Sequence, residues 1–324
     1  MNKASFSALK AANRLPSPPA VAMRILQLVA SEDTTLDELA HVISADPALT
    51  SRILKYLHSP LIGLGFHGTT LPEAVARIGT RGAQLLALSF SLVSQKHVQS
   101  CPSFNFNQFW SESLARAVAC RRLAASSRQW NPEDAFIAGL VYRIGELVLA
   151  TALPVEYEPV LRGEAAGGAL EARERTAFGT DHLEIGLLLL KDWKLPESVW
   201  GAVEPLAAWP RPVETGRQPA TDMLRLADGF AAFLSRDEEQ HGRGLDTLMA
   251  RARELVGADR DAFRAHLDQI GQDWIGYGEV LSITTVEPPD LDALEVEAEE
   301  YRTALRLAAE REGPGLRSEN QEPG

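Results

Sequence analysis

The chain has 324 residues, of which 45% are hydrophobic and 23% charged, so it can bury a large core and is neither a disordered nor a low-complexity sequence. Its formal net charge of −12 gives it a field that repels nucleic acid and anionic membranes, whose binding calls for a basic face. Two cysteines, Cys101 and Cys120, are too few for a disulfide framework, and no CxxC or Cys/His cluster suggests structural zinc. Reduced thiols in a cytoplasmic protein are the expectation.

The N-terminal MNKASFSALKAANRLPSPPA has no apolar run ahead of its prolines and does not read as a signal peptide. Val21, Ile25, Leu28 and Val29 then recur at helical spacing. Thr35-x-x-Glu38 is a capping box that predicts a helix over Leu36 to Ser44. Asp46-Pro47 predicts the next start, because Asp accepts from first-turn amides and Pro lacks a donor where none is needed. Leu49, Ile53, Leu54 and Leu57 share one side of that helix, which ends before Ser59-Pro60 and the connector LIGLGFHG.

Thr70-x-x-Glu73 caps a helix that stops near Ile78-Gly79, and a long helix follows from about Arg81 to Lys96. Asn107 or Ser111 starts another that runs to about Ser126. Asn131-Pro132 introduces the most apolar stretch, Ala135 to Pro154. Arg143 and Glu146 in its middle argue for a buried core helix, not a membrane span. Asp181-x-x-Glu184 caps a helix ending near Lys191, Leu195-Pro196 opens another, and Ala220 to Leu234 closes this block. No alternating β-branched run is long enough to build a sheet, so the fold class is all-α.

The texture changes after Arg236. Residues 237–244 are polar, helices are expected over Leu245 to Val256 and Arg260 to Ile275, and VLSITTVEPPD reads as extended. A last amphipathic helix is expected from about Leu291 to Glu310. Leu291, Leu294, Tyr301 and Leu305 sit there at heptad spacing, as a candidate dimer or partner helix. From Glu287 onward there are 11 acidic and 4 basic residues, so this end carries more than half the net charge, and residues 312–324 read as disordered. The implied division is a tail at 1–12, a main domain at 13–236, a linker and helical extension at 237–289, an acidic helix at 290–311 and the terminal tail.

Familiar chemistry is scarce. There is no P-loop, no GxGxxG and no GxSxG elbow. His41, His58, His67, His97, His241 and His266 show no metal-ligand spacing. Trp110, Trp193, Trp200 and Trp209 read as core anchors. Arg77, Arg81, Arg116, Arg121 and Arg122 are the one hint of a DNA-binding face, and they read more simply as solvated helix faces.

Six segments, in order, carry a resemblance. They are NRLPSPPAVAMRILQLV, ISADPALTSRILKYLHSPLIG, TTLPEAVARIGTRGAQLLALSFSLV, FWSESLARAVACRRLA, EDAFIAGLVYRIGELVLATALP and FGTDHLEIGLLLLKDWKLPESV. Together they resemble the HDOD domain, a bacterial relative of the HD-domain metal-dependent phosphohydrolases, over about residues 13–236. The resemblance implies an all-helical fold of two lobes, the second related to the HD fold, here with a C-terminal helical extension. HD enzymes hold metal through a His, a His-Asp doublet and a later Asp, and the metal lowers the pKa of a bound water.

At those positions this chain has Glu112, Tyr142-Arg143 and Asp228, and His182 matches a position commonly His in the family. Arg is a donor only and repels a cation, so the resemblance implies a degenerate site with no metal, no cofactor and no catalysis. Arg143 either places its guanidinium where the metal would sit, paired with Glu112 and Asp228, or extends to solvent.

The implied function is a non-enzymatic regulatory or scaffold module in signal transduction. Its partner would be a protein such as a histidine kinase, a response regulator or a cyclic-di-GMP turnover protein. No nucleic acid or membrane insertion is expected, and a homodimer is possible. The strongest family signature lies on Asp46, Pro47, Leu49, Arg52, Lys55, Ser59 and Pro60, a candidate partner-binding face. The alternatives are a nucleotide sensor using the remnant pocket, and a divergent HD phosphohydrolase.

Overall fold

The computed structural model describes residues 35–58, 70–93, 101–163, 169–208, 218–235 and 241–290, with single positions at 21, 24, 25, 28, 292, 293, 296, 299 and 303. Among the described residues there are fourteen helices and no strand.

The first group is α1 (Leu36–Ser44), α2 (Pro47–Leu57) and α3 (Leu71–Val93). Both halves of the Thr35/Glu38 capping box form. Asp46 Oδ1 accepts from the amides of Ala48 and Leu49 at 2.9 and 3.1 Å, so α2 begins where its sequence signals it. The stop expected at Gly79 is a bend inside α3. Gly79 has φ +75°, a conformation that favours glycine, and the helix resumes beyond it. Leu39, Ile43, Ile53, Leu57 and Phe90 fill the core of this group.

The second group is built on α4 (Phe106–Ser127). Its N-cap is Asn105, two residues before the first expected position, and the Asn105 side chain accepts from the amide of Gln108. Most of α4 is buried, because Ala115, Ala117, Ala119 and Ala124 let other helices approach closely. The α5 helix (Pro132–Val141) lies against it. A methyl group on Gly139 would stand 2.8 Å from backbone atoms of Arg116 and Ala117, so the contact is between bare helices.

The expected single core helix over Ala135 to Pro154 is two helices. The break falls at Tyr142-Arg143, after which α6 runs Ile144–Ala152. Arg143 has φ −101° and ψ 20° and begins the new helix without a side-chain cap. Breaking there turns the one strong cation of the stretch out of the apolar stack. The segment Pro132–Ala152 is apolar and long enough to cross a membrane by composition, but 83% of its most apolar window is buried within the fold.

Helices α7 (Pro154–Arg162), α8 (Leu170–Phe178), α9 (His182–Asp192), α10 (Glu197–Trp200), α11 (Glu204–Ala207) and α12 (Pro219–Leu234) complete the group. Of these, α7, α8 and α11 are not among the expected helices, although α7 and α11 carry a first-turn proline. Helix α9 packs on α6 at a close crossing, and α12 lies along α4 and α5.

The extension is α13 (His241–Val256) and α14 (Arg260–Leu281), followed by an extended stretch over residues 283–290. Helix α14 packs on α4 and also touches α2 and α3, so it meets both groups. Trp274 is fully buried there, and its indole N–H donates to the Ser111 carbonyl at 2.9 Å. Leu291, Leu294, Tyr301 and Leu305 lie outside the described residues, as do Ser59, Pro60, His67, His97 and Trp209.

Candidate functional site

The residues expected at the degenerate metal positions come from four places: α4, the α5–α6 break, α9 and α12. Asp228, on α12, is the hub. Its Oδ1 accepts from Arg116 Nε at 2.7 Å and from Arg143 Nε at 3.2 Å, and its Oδ2 accepts from Arg143 Nη2 at 3.3 Å. Arg143 also donates through Nη1 to Glu146 Oε1 at 2.8 Å. Both guanidinium groups stack near the Tyr142 ring, at 5.5 Å for Arg116 and 5.9 Å for Arg143.

Arg143 therefore pairs with Asp228, but its second carboxylate is Glu146 and not Glu112. Glu112 accepts instead from Gln108 Nε2, one turn back on its own helix, at 2.9 Å. The expectation that Arg116 belongs to a solvated face is corrected. Its side chain is only 2% exposed, and it takes the short bond to Asp228. Arg121 and Arg122 are likewise engaged. Arg121 donates to Tyr277 and Glu133, and Arg122 to Asp273 and Gln269. These contacts tie α4 to α14 and α5 and leave that row no free basic stripe.

The electrostatics follow from this packing. Burial would raise the Asp228 pKa, but Arg116 and Arg143 outweigh it and hold the carboxyl down at about 2. Burial also works against the charge on Arg143, and Asp228 and Glu146 more than restore it. Burial, then the Asp228 charge, pushes the Tyr142 phenol up and away from ionisation.

These residues do not fit a divalent metal. The one carboxylate retained from the metal pattern is occupied by two guanidinium groups, and the doublet position supplies a donor-only cation and a neutral phenol. Among the described residues, no group of three or more His, Cys, Asp or Glu side chains is placed to hold an ion.

His182 is fully buried as the first residue of α9 and does not reach Asp228. Its Nδ1 lies 2.7 Å from Glu174 Oε2, and its Nε2 lies 3.5 Å from Glu146 Oε1. Glu174, on α8, is also fully buried and accepts from the Tyr157 hydroxyl at 2.6 Å and from the His182 amide at 2.9 Å. Close polar contacts thus run from Arg116 and Asp228 through Arg143 and Glu146 to His182, Glu174 and Tyr157.

The candidate partner face is only partly a surface. Leu49 is in the core, and Arg52 reaches back to the Phe90 carbonyl at 3.4 Å, while Pro47 and Lys55 are exposed. Cys101 and Cys120 are both buried and free. Burial and the neighbouring Glu158 push the Cys101 thiol up to about 11, so it is not an activated nucleophile.

Arg116, Glu146, Glu174 and Tyr157 belong to this network and were not expected in it. Arg116 did leave a signal. It sits in SLARAVAC, where small apolar residues on every side mark a helix buried all round. Glu174 lies in the polar run LEARERTAF and gives none.

The architecture and the site define an all-helical module in which Asp228, expected at a degenerate metal position, is held by two arginines. The chain belongs to the HDOD domain family, whose pattern matches residues 15–206. Its fold resembles a Shewanella amazonensis SB2B protein that carries a phosphohydrolase name (24% identity, TM-score 0.64, covering 84% of this chain and 97% of that one). It also resembles an HDOD domain protein of unknown function from Geobacter sulfurreducens (20% identity, TM-score 0.63, covering 86% and 95%). A third likeness is to a Marinobacter aquaeolei VT8 protein named for signal transduction (21% identity, TM-score 0.60, covering 83% and 59%). In sequence, 187 residues are 28% identical to an uncharacterized protein of Treponema pallidum, covering 57% of this chain and 36% of that protein. The chain therefore spans about a third of the length of that curated relative.

Proposed function

We propose that this chain is a non-catalytic regulatory module of bacterial signal transduction that acts by binding a protein partner. The observation that carries the reading is the engagement of Asp228 by Arg116 and Arg143. A metal-dependent hydrolase needs that carboxylate free to hold an ion, which lowers the pKa of the attacking water. Here it is committed to two resident cations. The same pairing argues against a nucleotide sensor at this position, because guanidinium donors already shared among Asp228 and Glu146 are poorly available to a phosphate.

The partner class proposed is a histidine kinase, a response regulator or a cyclic-di-GMP turnover protein, bound through helix faces in the cytoplasm. The test has two arms. In the first, the purified full chain is analysed for bound metal and assayed on a phosphodiester with added manganese. No bound metal and no turnover are expected, and stoichiometric metal with turnover would overturn the reading. In the second, the tagged chain is captured from its native lysate. Recovery of one of those three classes, reproduced with the two purified proteins, supports the reading, and binding to none of them overturns it.

A further inference from the structure

We infer that His182 is a resident imidazolium, a buried proton that clamps α6 to α8 and α9 and makes this packing sensitive to rising pH. The argument is geometric. Both ring nitrogens face carboxylates, Nδ1 at 2.7 Å from Glu174 Oε2 and Nε2 at 3.5 Å from Glu146 Oε1. Glu174 already accepts from the Tyr157 hydroxyl and the His182 amide, so it acts as an acceptor only, and the hydrogen on this contact comes from Nδ1.

In a neutral ring, Nε2 would then be a bare lone pair. It is buried, has no hydrogen-bond partner among the described residues, and stands 3.5 Å from Glu146 Oε1. A second proton replaces that lone-pair repulsion with an attraction between opposite charges. Charge points the same way. Arg116 and Arg143 balance Asp228 and Glu146, and among the described residues the fully buried Glu174 is paired with no cation but His182.

The groups facing His182 are Glu174 from α8, Glu146 from α6, and Arg143 from the α5–α6 break. On its own side, Asp181 is held by Arg175 at 2.7 Å. Burial, Arg143 and the positive end of α9 oppose the proton, and the two carboxylates outweigh them, holding the His182 pKa above the ordinary histidine value.

Its release would be felt at once. A methyl group on Gly145 would stand 1.9 Å from the His182 carbonyl, so α6 and α9 touch backbone to backbone at this point. Glu146 divides its charge between His182 and Arg143, and Arg143 in turn holds Asp228. Loss of the proton therefore loosens the α6–α9 crossing and reaches α12 through Arg143.

The test is nitrogen NMR of the full chain labelled at histidine, followed from acid through neutral to alkaline pH. The expected result is a His182 ring with both nitrogens protonated at neutral pH. Its deprotonation above neutrality should coincide with faster amide exchange in residues 144–152. A neutral His182 ring at neutral pH would overturn the inference. Glu146→Gln keeps the shape and removes the facing charge. It should lower the proton affinity of His182 roughly tenfold or more, about one pH unit. An unmoved titration in that variant would overturn the role given to Glu146. Neither readout depends on a partner, so the inference and the proposed function fail separately.

Discussion

Arg116 Nε stands 2.7 Å from Asp228 Oδ1, joining α4 to α12 across 112 positions of sequence. Arg116 is 2% exposed, so its charge has no recourse to water, and Asp228 is what makes its burial tolerable. Arg143 differs, being 26% exposed and able to fall back on Glu146.

Removing the carboxylate should therefore cost more than removing Arg143. Asp228→Ala leaves Arg116 buried and unpaired, which is expected to cost about 3–5 kcal/mol. Arg143→Met should cost distinctly less. The double change Arg116→Met with Asp228→Leu should be more stable than Asp228→Ala, because it removes both charges and keeps the volume. Urea denaturation midpoints of the three variants decide this, and equal losses for Asp228→Ala and Arg143→Met would contradict the ranking.

The same pair sets a response to acid. The Asp228 pKa is depressed from 3.8 to about 2, so its stabilisation is complete above the ordinary value and is lost as pH falls through the lower one. Wild type should exceed Asp228→Asn in stability at neutral pH, and the gap should close as pH falls from about 4 toward 2. Glu158, also held at about 2 through hydrogen bonds from Ser103, is present in both proteins and cancels. Thermal melts of the two proteins across that range would show it, and a gap that stays constant would place the pair's contribution elsewhere.

Local signals in the sequence were reliable where the physics is local. Thr35, Asp46, Asn131 and Asp181 each cap the helix their spacing announces, because a cap needs partners only two or three residues away. The break at Tyr142-Arg143 was not legible. An unbroken apolar run gives no hint of it, and the carboxylate that Arg143 meets there, Asp228, lies 85 residues on. The expected pairing of Arg143 with Asp228 was legible only through the family resemblance, and the expected pairing with Glu112 does not form. Arg116 took the remaining place at the hub, and a row of arginines on one helix looks solvated until its distant carboxylates are known.

The α6–α9 crossing gives a steric prediction. Gly145→Ala would drive a methyl group into the His182 carbonyl and within 2.9 Å of the Gly186 amide, and a backbone neighbour cannot rotate away. The helices must separate, and the His182–Glu146 contact separates with them. A loss of about 1–3 kcal/mol or more is expected, as for other overpacked cores. Gly82→Ala is the control, since among the described residues its methyl would meet only the Ile78 side chain, at 3.4 and 3.9 Å, and should gain helix propensity. Chemical denaturation should separate the two by sign.

The extension beyond the family match supplies a last prediction. The matched region ends at residue 206, yet Asp228 lies on α12 and the fully buried Trp274 lies on α14. Trp274 bonds the Ser111 carbonyl, and Tyr277 and Asp273 hold Arg121 and Arg122, so α14 covers a face of α4 that would otherwise be open. A chain ending at 236 keeps every family segment but strips α4 of those contacts. It should be aggregation-prone or bind a hydrophobic dye, where the full chain does not. The milder Trp274→Ala should cost about 3–5 kcal/mol through the cavity it leaves. Trp274→Phe fills most of that volume and loses chiefly the bond to Ser111, about 1 kcal/mol. If the shortened chain instead unfolds cooperatively at the same denaturant concentration as the full one, α14 is an appendage and not part of the core.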